Sequence, residues 1–262
     1  MDAYDLTLKA ARYFYVNPGH LVDLLEALKL ATLAVEREPT YAYGLHIAAW
    51  LHFTRILLGF SVVGEVERRM CETLARRAIA AARGDPEILC RGALILIHMR
   101  KDYDQNLALA RSAVEDGPNN IDVLTEAAVV ELHCGSVEEA IRLAMRSIAL
   151  SPKDSMSGFP TATVAHANMI LGDYAPAVEW AHRSVVSSPT FIPAYWMLVA
   201  GNSHLGRLDI AKEWLAKWLL LQPHANLSHI RRVQPGKDPL RLAAIYSGLA
   251  LGGLPDTGPT PI

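Results

Sequence analysis

Gly135-Ser136-Val137-Glu138-Glu139-Ala140, running on to Ser147-Ile148-Ala149-Leu150-Ser151-Pro152, carries the pattern on which the rest of the chain is built. Between its glycine and its proline, Val137, Ala140, Ile141, Ala144 and Ile148 recur at i, i+3, i+4 and i+7, the stripe of an amphipathic helix. Ser136, with Glu139 three residues on, predicts a capping box at the helix start. The glycine suits a tight turn out of a preceding helix, where φ > 0 is tolerated. Ala140 is small enough for two helices to approach closely.

The same punctuation recurs on both sides. Gly135, Gly172 and Gly206 each stand 17 residues before a proline, and Ala140, Ala177 and Ala211 each follow their glycine by 5. Phrases ending in proline recur at Pro39, Pro86, Pro118, Pro152, Pro189 and Pro223; from Pro86 onward the steps are 32, 34, 37 and 34 residues. The step from Pro39 to Pro86 is 47, which predicts an insertion around Gly59 to Glu67. The 37-residue step assigns Ser155-Met156-Ser157-Gly158-Phe159-Pro160 to a lengthened loop, without the strand-to-helix elbow that activates a serine. No window alternates with period 2, so no strands are expected.

A period of about 34 residues made of helix-turn-helix units resembles the tetratricopeptide repeat, over roughly Leu21 to Pro223. Asn106, Ser147 and Ser184 depart from the alanine usual in that pattern. The expected fold is therefore all-α: a tetratricopeptide-like right-handed superhelical solenoid of about six helix pairs. Leu240 to Leu251, with Leu242, Ile245, Tyr246 and Leu249 on one side, reads as a capping helix over the last apolar face. Asn226 to Pro239 reads as polar and turn-rich. One solenoid domain is expected over residues 1–251, with a flexible tail over 252–262.

Composition bounds the function. Hydrophobic residues are 51% and Lys+Arg 25 nearly balances Asp+Glu 27, for a formal net charge of −2, so no global basic surface invites nucleic acid or lipid. Cys71, Cys90 and Cys134 are odd in number and far apart, which suggests reduced thiols in a cytoplasmic setting. Met1-Asp2-Ala3-Tyr4-Asp5 lacks the apolar core of a signal peptide, and His46, His52 and Arg55 interrupt the most apolar stretch, Leu45 to Phe60.

A second set of short phrases narrows the resemblance. Asp2-Ala3-Tyr4-Asp5-Leu6, Glu38-Pro39-Thr40-Tyr41-Ala42, Lys101-Asp102-Tyr103-Asp104, Gly117-Pro118-Asn119-Asn120, Leu150-Ser151-Pro152-Lys153-Asp154 and Gly253-Leu254-Pro255-Asp256 occur in that order, with Gly248-Leu249 before the last. Together they resemble the repeat segment C-terminal to class III adenylate/guanylate cyclase domains and winged-helix regulators of α-proteobacteria. No cyclase metal core, Walker loop or dinucleotide glycine fingerprint occurs, so the resemblance implies either the regulatory part of such a protein or a free-standing relative, and not a cyclase.

The tetratricopeptide resemblance implies that first helices line a concave binding surface. They are expected near 41–58, 86–99, 121–133, 160–171 and 192–205. The candidate groove residues are Tyr43, His46, Trp50, Phe53, Arg91, His98, Thr125, His133, Thr163, His166, Trp196 and His204. The same aromatic and imidazole groups also suit packing between helices. No catalytic constellation, metal spacing or cofactor motif is present, and Lys9, Lys29, Lys101, Lys153, Lys212, Lys217 and Lys237, placed outside the first helices, form no carboxylate clamp. The expected role is a noncatalytic scaffold for a protein or peptide partner such as a cyclase or transcription-regulator module. A small-ligand sensor using the same groove is the alternative.

Overall fold

A computed structural model of the protein describes residues 2–13, 20–60, 64–100, 102–151 and 158–257. Among the described residues there are fourteen helices and no strand. Packing gathers the chain into two compact units, Met1–Pro118 and Asn119–Ile262, where the repeat pattern predicts one body over 1–251.

The first unit holds α1 (Ala3–Ala11), α2 (Leu21–Arg37), α3 (Ala42–Leu57), α4 (Glu65–Ala81), α5 (Pro86–Met99) and α6 (Tyr103–Asp116). Each helix packs on the next, and the first helices α1, α3 and α5 also pack on one another. Local chemistry sets the starts: the Asp2 carboxylate accepts from the Asp5 amide, and Asp85 accepts from the amides of Glu87 and Ile88, with Pro86 at the first helical position. The acidic N-terminus is thus the first helix of the first of six pairs, so Lys9 does lie on a first helix. The expected insertion is partly helix: α3 has 16 residues and α4 has 17, against 13 or 14 in the repeats that follow, and Glu65 to Glu67 open α4. Residues 61–63 of that stretch lie outside the described residues.

The second unit holds α7 (Ile121–Cys134), α8 (Val137–Leu150), α9 (Gly158–Leu171), α10 (Tyr174–Ser187), α11 (Ile192–His204), α12 (Leu208–Leu221), α13 (Leu227–Val233) and α14 (Leu240–Leu251). Through α12 it repeats the same packing, with α7, α9 and α11 as first helices. The repeat alanines Ala140, Ala177 and Ala211 are fully buried where paired helices meet. Gly172 and Gly206 take φ 80 and 72, as the turns require, whereas Gly135 does not: its φ is −113. Only half of the expected capping box forms. Ser136 Oγ accepts from the Glu139 amide at 3.2 Å, but the Ser136 amide is taken by Glu131 Oε2 at 2.9 Å.

The three departures from alanine are satisfied polar groups. Ser147 Oγ lies 2.8 Å from Thr125 Oγ1, Ser184 Oγ donates to the Gly158 carbonyl at 2.6 Å, and Asn106 Nδ2 donates to the Asp102 carbonyl at 2.7 Å. Gly158, Phe159 and Pro160 belong to α9 and not to a loop, since proline is tolerated in a first turn; Ser155 to Ser157 lie outside the described residues. The stretch read as turn-rich contains α13, whose start is capped by Asn226.

The C-terminal helix has the expected bounds. Its principal neighbours are α11, the first helix of the last pair, and α9. Beyond it, Gly252 and Leu254 are buried, and the amides of Leu227 and Ser228 donate to the carbonyls of Pro255 and Asp256, both at 2.9 Å. The start of the expected flexible tail is therefore tied down; 258–262 lie outside the described residues. No described helix is long and apolar enough to cross a membrane.

Candidate functional site

In the first unit the predicted residues of α3 and α5 form one continuous cluster. Arg91 on α5 donates from Nη1 to His46 Nε2 on α3 at 2.9 Å. Its guanidinium also lies 5.0 Å from the Trp50 ring centroid and 3.7 Å from Glu87 Oε1. Tyr43 stacks on His46, with centroids 5.6 Å apart. Trp50 leads to Phe53 at 5.1 Å, and Phe53 meets the edge of His98 at 4.9 Å.

Burial sorts this cluster into base and rim. His46, Phe53 and His98 are buried, while Tyr43, Trp50, Glu87 and Arg91 are only partly so. Burial holds the His46 pKa well below its usual value, and the Arg91 charge pushes it the same way. A neutral His46 keeps the lone pair that receives Arg91. Burial likewise lowers His98 to about 4, against the hydrogen bond between its Nδ1 and the Leu94 carbonyl. A neighbouring polar group missed from sequence is Glu67, buried at 3% and bridged to His52 Nδ1 at 2.9 Å and Arg55 Nη1 at 3.2 Å. Glu67 sits in the region read as insertion, which hid it. Cys71, close by, has its thiol pKa raised by burial and then by the Glu67 charge. All three cysteines are buried and none is in a disulfide.

In the second unit the candidates are scattered over the first helices and mostly serve packing. Thr125 is buried on Ser147, and Thr163 Oγ1 donates to the carbonyl of Phe159 at 3.1 Å. His133 and His166 meet edge to face at 5.4 Å, and Trp196 packs 6.2 Å from Trp218. His204 stacks on Tyr174 at 4.4 Å and its Nε2 reaches the Ala244 carbonyl of α14 at 2.7 Å. Thr163 and His166 lie on α9, both buried. This face is covered by the chain's own C-terminal helix, so the expected open groove is absent along α9 and α11. The covering residues, above all Arg241 and Gly248, carry no signal in the repeat pattern, because they lie beyond it. No group of three His, Cys, Asp or Glu side chains among the described residues converges to hold a metal ion.

No protein-family model matches the chain, and no curated protein does. Solved structures do. PilW, a widely conserved type IV pilus biogenesis factor, is 15% identical over 88% of this chain and 97% of its own, with a TM-score of 0.57. TTC0263, a thermophilic TPR protein of Thermus thermophilus, is 14% identical over 83% of this chain and 99% of its own, with a TM-score of 0.54. The human IFIT1 dimer with m7Gppp-AAAA gives a TM-score of 0.70 at 15% identity, over 84% of this chain and 50% of that one. Identities this low speak to architecture alone. With the six helix pairs and their shared turn and packing positions, they show that this chain has a fold of the tetratricopeptide type.

Proposed function

We propose that this chain is a noncatalytic binding module, cytoplasmic, and that the α3–α5 face of its first unit receives a protein or peptide partner. The observation that carries the reading is the positioned Arg91: one guanidinium held by neutral His46, flanked by Glu87 and laid over Trp50, with Tyr43 alongside. Tyr, Trp and Arg are the residue types that dominate interface energetics, chiefly when rigid before the partner arrives. A guanidinium offers a fork of donors to a carboxylate. The cluster therefore suits an acidic or carboxylate-bearing peptide segment with an apolar neighbour for Trp50. The near-neutral balance of the chain fits a protein partner better than nucleic acid. The ordered short phrases of the sequence point to a nucleotide cyclase or winged-helix regulator as that partner.

A peptide library displayed on beads tests this reading, with acidic sequences compared against their amide counterparts. Binding should favour the acidic members and fall at least tenfold in Arg91→Ala and in Trp50→Ala. Equal binding by wild type and Arg91→Ala would remove this face from the function. Saturable binding of a metabolite in a thermal-shift screen, with no peptide binding, would favour the sensor reading instead.

A further inference from the structure

The first-helix face of the second unit is occupied in the manner of a groove holding a helical peptide. Helix α14 lies on α11 and α9 with a single buried stripe, Leu242, Ile245, Gly248 and Leu249. Gly248 presses onto the α11 backbone: a Cβ there would stand 2.7 Å from Cα, Cβ and O of Ala200. One turn on, a Cβ at Gly252 would stand 2.6 Å from Val199 and 2.9 Å from Ser203 Oγ. The two small residues let the backbones approach to a distance any larger side chain forbids.

The other end is held by charge. Arg241 donates from Nη1 to the carbonyls of Leu132 at 2.7 Å and Glu131 at 3.2 Å, and from Nη2 to the carbonyl of Gly135 at 2.6 Å. These carbonyls stand at the C-terminal end of α7, the negative end of its dipole, and that of Glu131 also accepts the Gly135 amide at 2.8 Å. The non-positive φ of Gly135 accompanies this contact. His204 Nε2 reaches the Ala244 carbonyl of α14 at 2.7 Å. Within the same face, buried His166 Nε2 and Trp196 Nε1 have no hydrogen-bond partner among the described residues.

An apolar stripe, small residues at the crossing and a cation on carbonyl ends are the elements by which a groove recognises a helix. The anchor is polar and accessible, for Arg241 is half-buried, and both ends of α14 are exposed, Leu240 at 79% and Leu251 at 59%. The segment leading in, Gln234-Pro235-Gly236-Lys237-Asp238-Pro239, contains no helix. We infer that the first-helix face of the second unit is a helix-binding groove, with the chain's own α14 as its resident ligand. The partner that uses it presents an arginine followed seven and eleven residues later by small residues, as Arg241, Gly248 and Gly252 are spaced. Tethering gives α14 a high effective concentration, so a partner helix binds only as α14 leaves. The inference uses none of the Arg91 cluster and can fail or stand independently of it.

The test uses the full chain as wild type, Arg241→Ala and Gly248→Leu, with a fluorescein-labelled synthetic peptide spanning residues 236–257 as probe. Anisotropy should show at least tenfold tighter peptide binding to both variants than to wild type, while circular dichroism shows their helical content kept. A probe peptide itself carrying Gly248→Leu should bind none of the three. Folded variants that take the peptide no better than wild type would overturn the inference, with α14 then a fixed part of the core. Variants that instead pair into dimers would overturn it too, assigning the groove to a second copy's segment. Arg241→Ala removes no apolar stripe residue and keeps the experiment decisive if Gly248→Leu fails to fold. Collapse of both variants would likewise make α14 core and sink the idea.

Discussion

Acidification should destabilise both units through their buried imidazoles, by an amount that follows from the depressed pKa values. His98 in the first unit and His166 in the second are each lowered from 6.5 to about 4, chiefly by burial. Arg68, which donates from Nη2 to the His98 carbonyl at 2.9 Å, adds to the first, and Arg241 adds to the second. Phe53 also meets the His98 ring, and His133 the His166 ring. Because the folded pKa lies below the unfolded one, the unfolded chain binds protons the folded chain refuses as pH falls. Stability is whole above pH 6.5 and is lost down to about pH 4, at a slope of about 1.4 kcal/mol per pH unit for each group. At pH 5 each histidine has removed roughly 2 kcal/mol, a large share of the 5–15 kcal/mol typical of a domain. His46, beside Arg91 and Glu87, works in the same direction. Urea unfolding at pH 7.5 and pH 5.0 measures the loss, and His98→Gln isolates one contribution, since an amide N–H can replace the donor to Leu94. The wild-type loss should exceed that of His98→Gln by about 2 kcal/mol. Equal pH dependence in the two proteins would show that His98 is not held neutral, and the reasoning would fail.

Other consequences are equally direct. Ser147→Ala should cost about 1–3 kcal/mol, because it takes from the buried Thr125 hydroxyl its 2.8 Å partner, and Thr125→Val should cost less, since Ser147 Oγ still donates to the Ile121 carbonyl at 3.4 Å; the double variant should cost less than the two singles together, measured by urea unfolding in a double-mutant cycle. Asn120→Ala should lower stability by about 1 kcal/mol, since Asn120 Oδ1 accepts from the Asp122 and Val123 amides at the start of α7; a thermal melt reads it. Cys71, buried with its thiol pKa raised, should resist thiol-reactive reagents in the native chain at pH 8 and react after unfolding. Prompt labelling of native Cys71, read by peptide mass mapping, would contradict its placement.

The repeat was legible because its signals are local. A helix stripe, a glycine at a turn and an alanine at a close crossing each act through neighbours within a few positions, so α8 falls on 137–150 as predicted and Ala140, Ala177 and Ala211 are buried together. The first helix α5 likewise matches its predicted bounds, since Asp85 and Pro86 mark its start in sequence. Misreadings arose where local signals served another purpose. Gly158-Phe159-Pro160 resembles loop punctuation yet opens a helix, and Ser136 with Glu139 has the spelling of a capping box although Glu131 takes half of its work.

The candidate site divides along the same line. Sequence alone determined that Tyr43, His46, Trp50 and Arg91 stand on first helices, because helix period and repeat phase decide which residues share a face. Tertiary structure alone decided that His46 and Arg91, 45 positions apart, meet at 2.9 Å, and that burial keeps the imidazole neutral enough to accept. It also decided that Thr125, Thr163 and His166 are inside, and that α14 lies on α9 and α11. Both facts depend on which surfaces a fold brings together and which it leaves in water. A periodic pattern states that a face must be covered; it does not state by what.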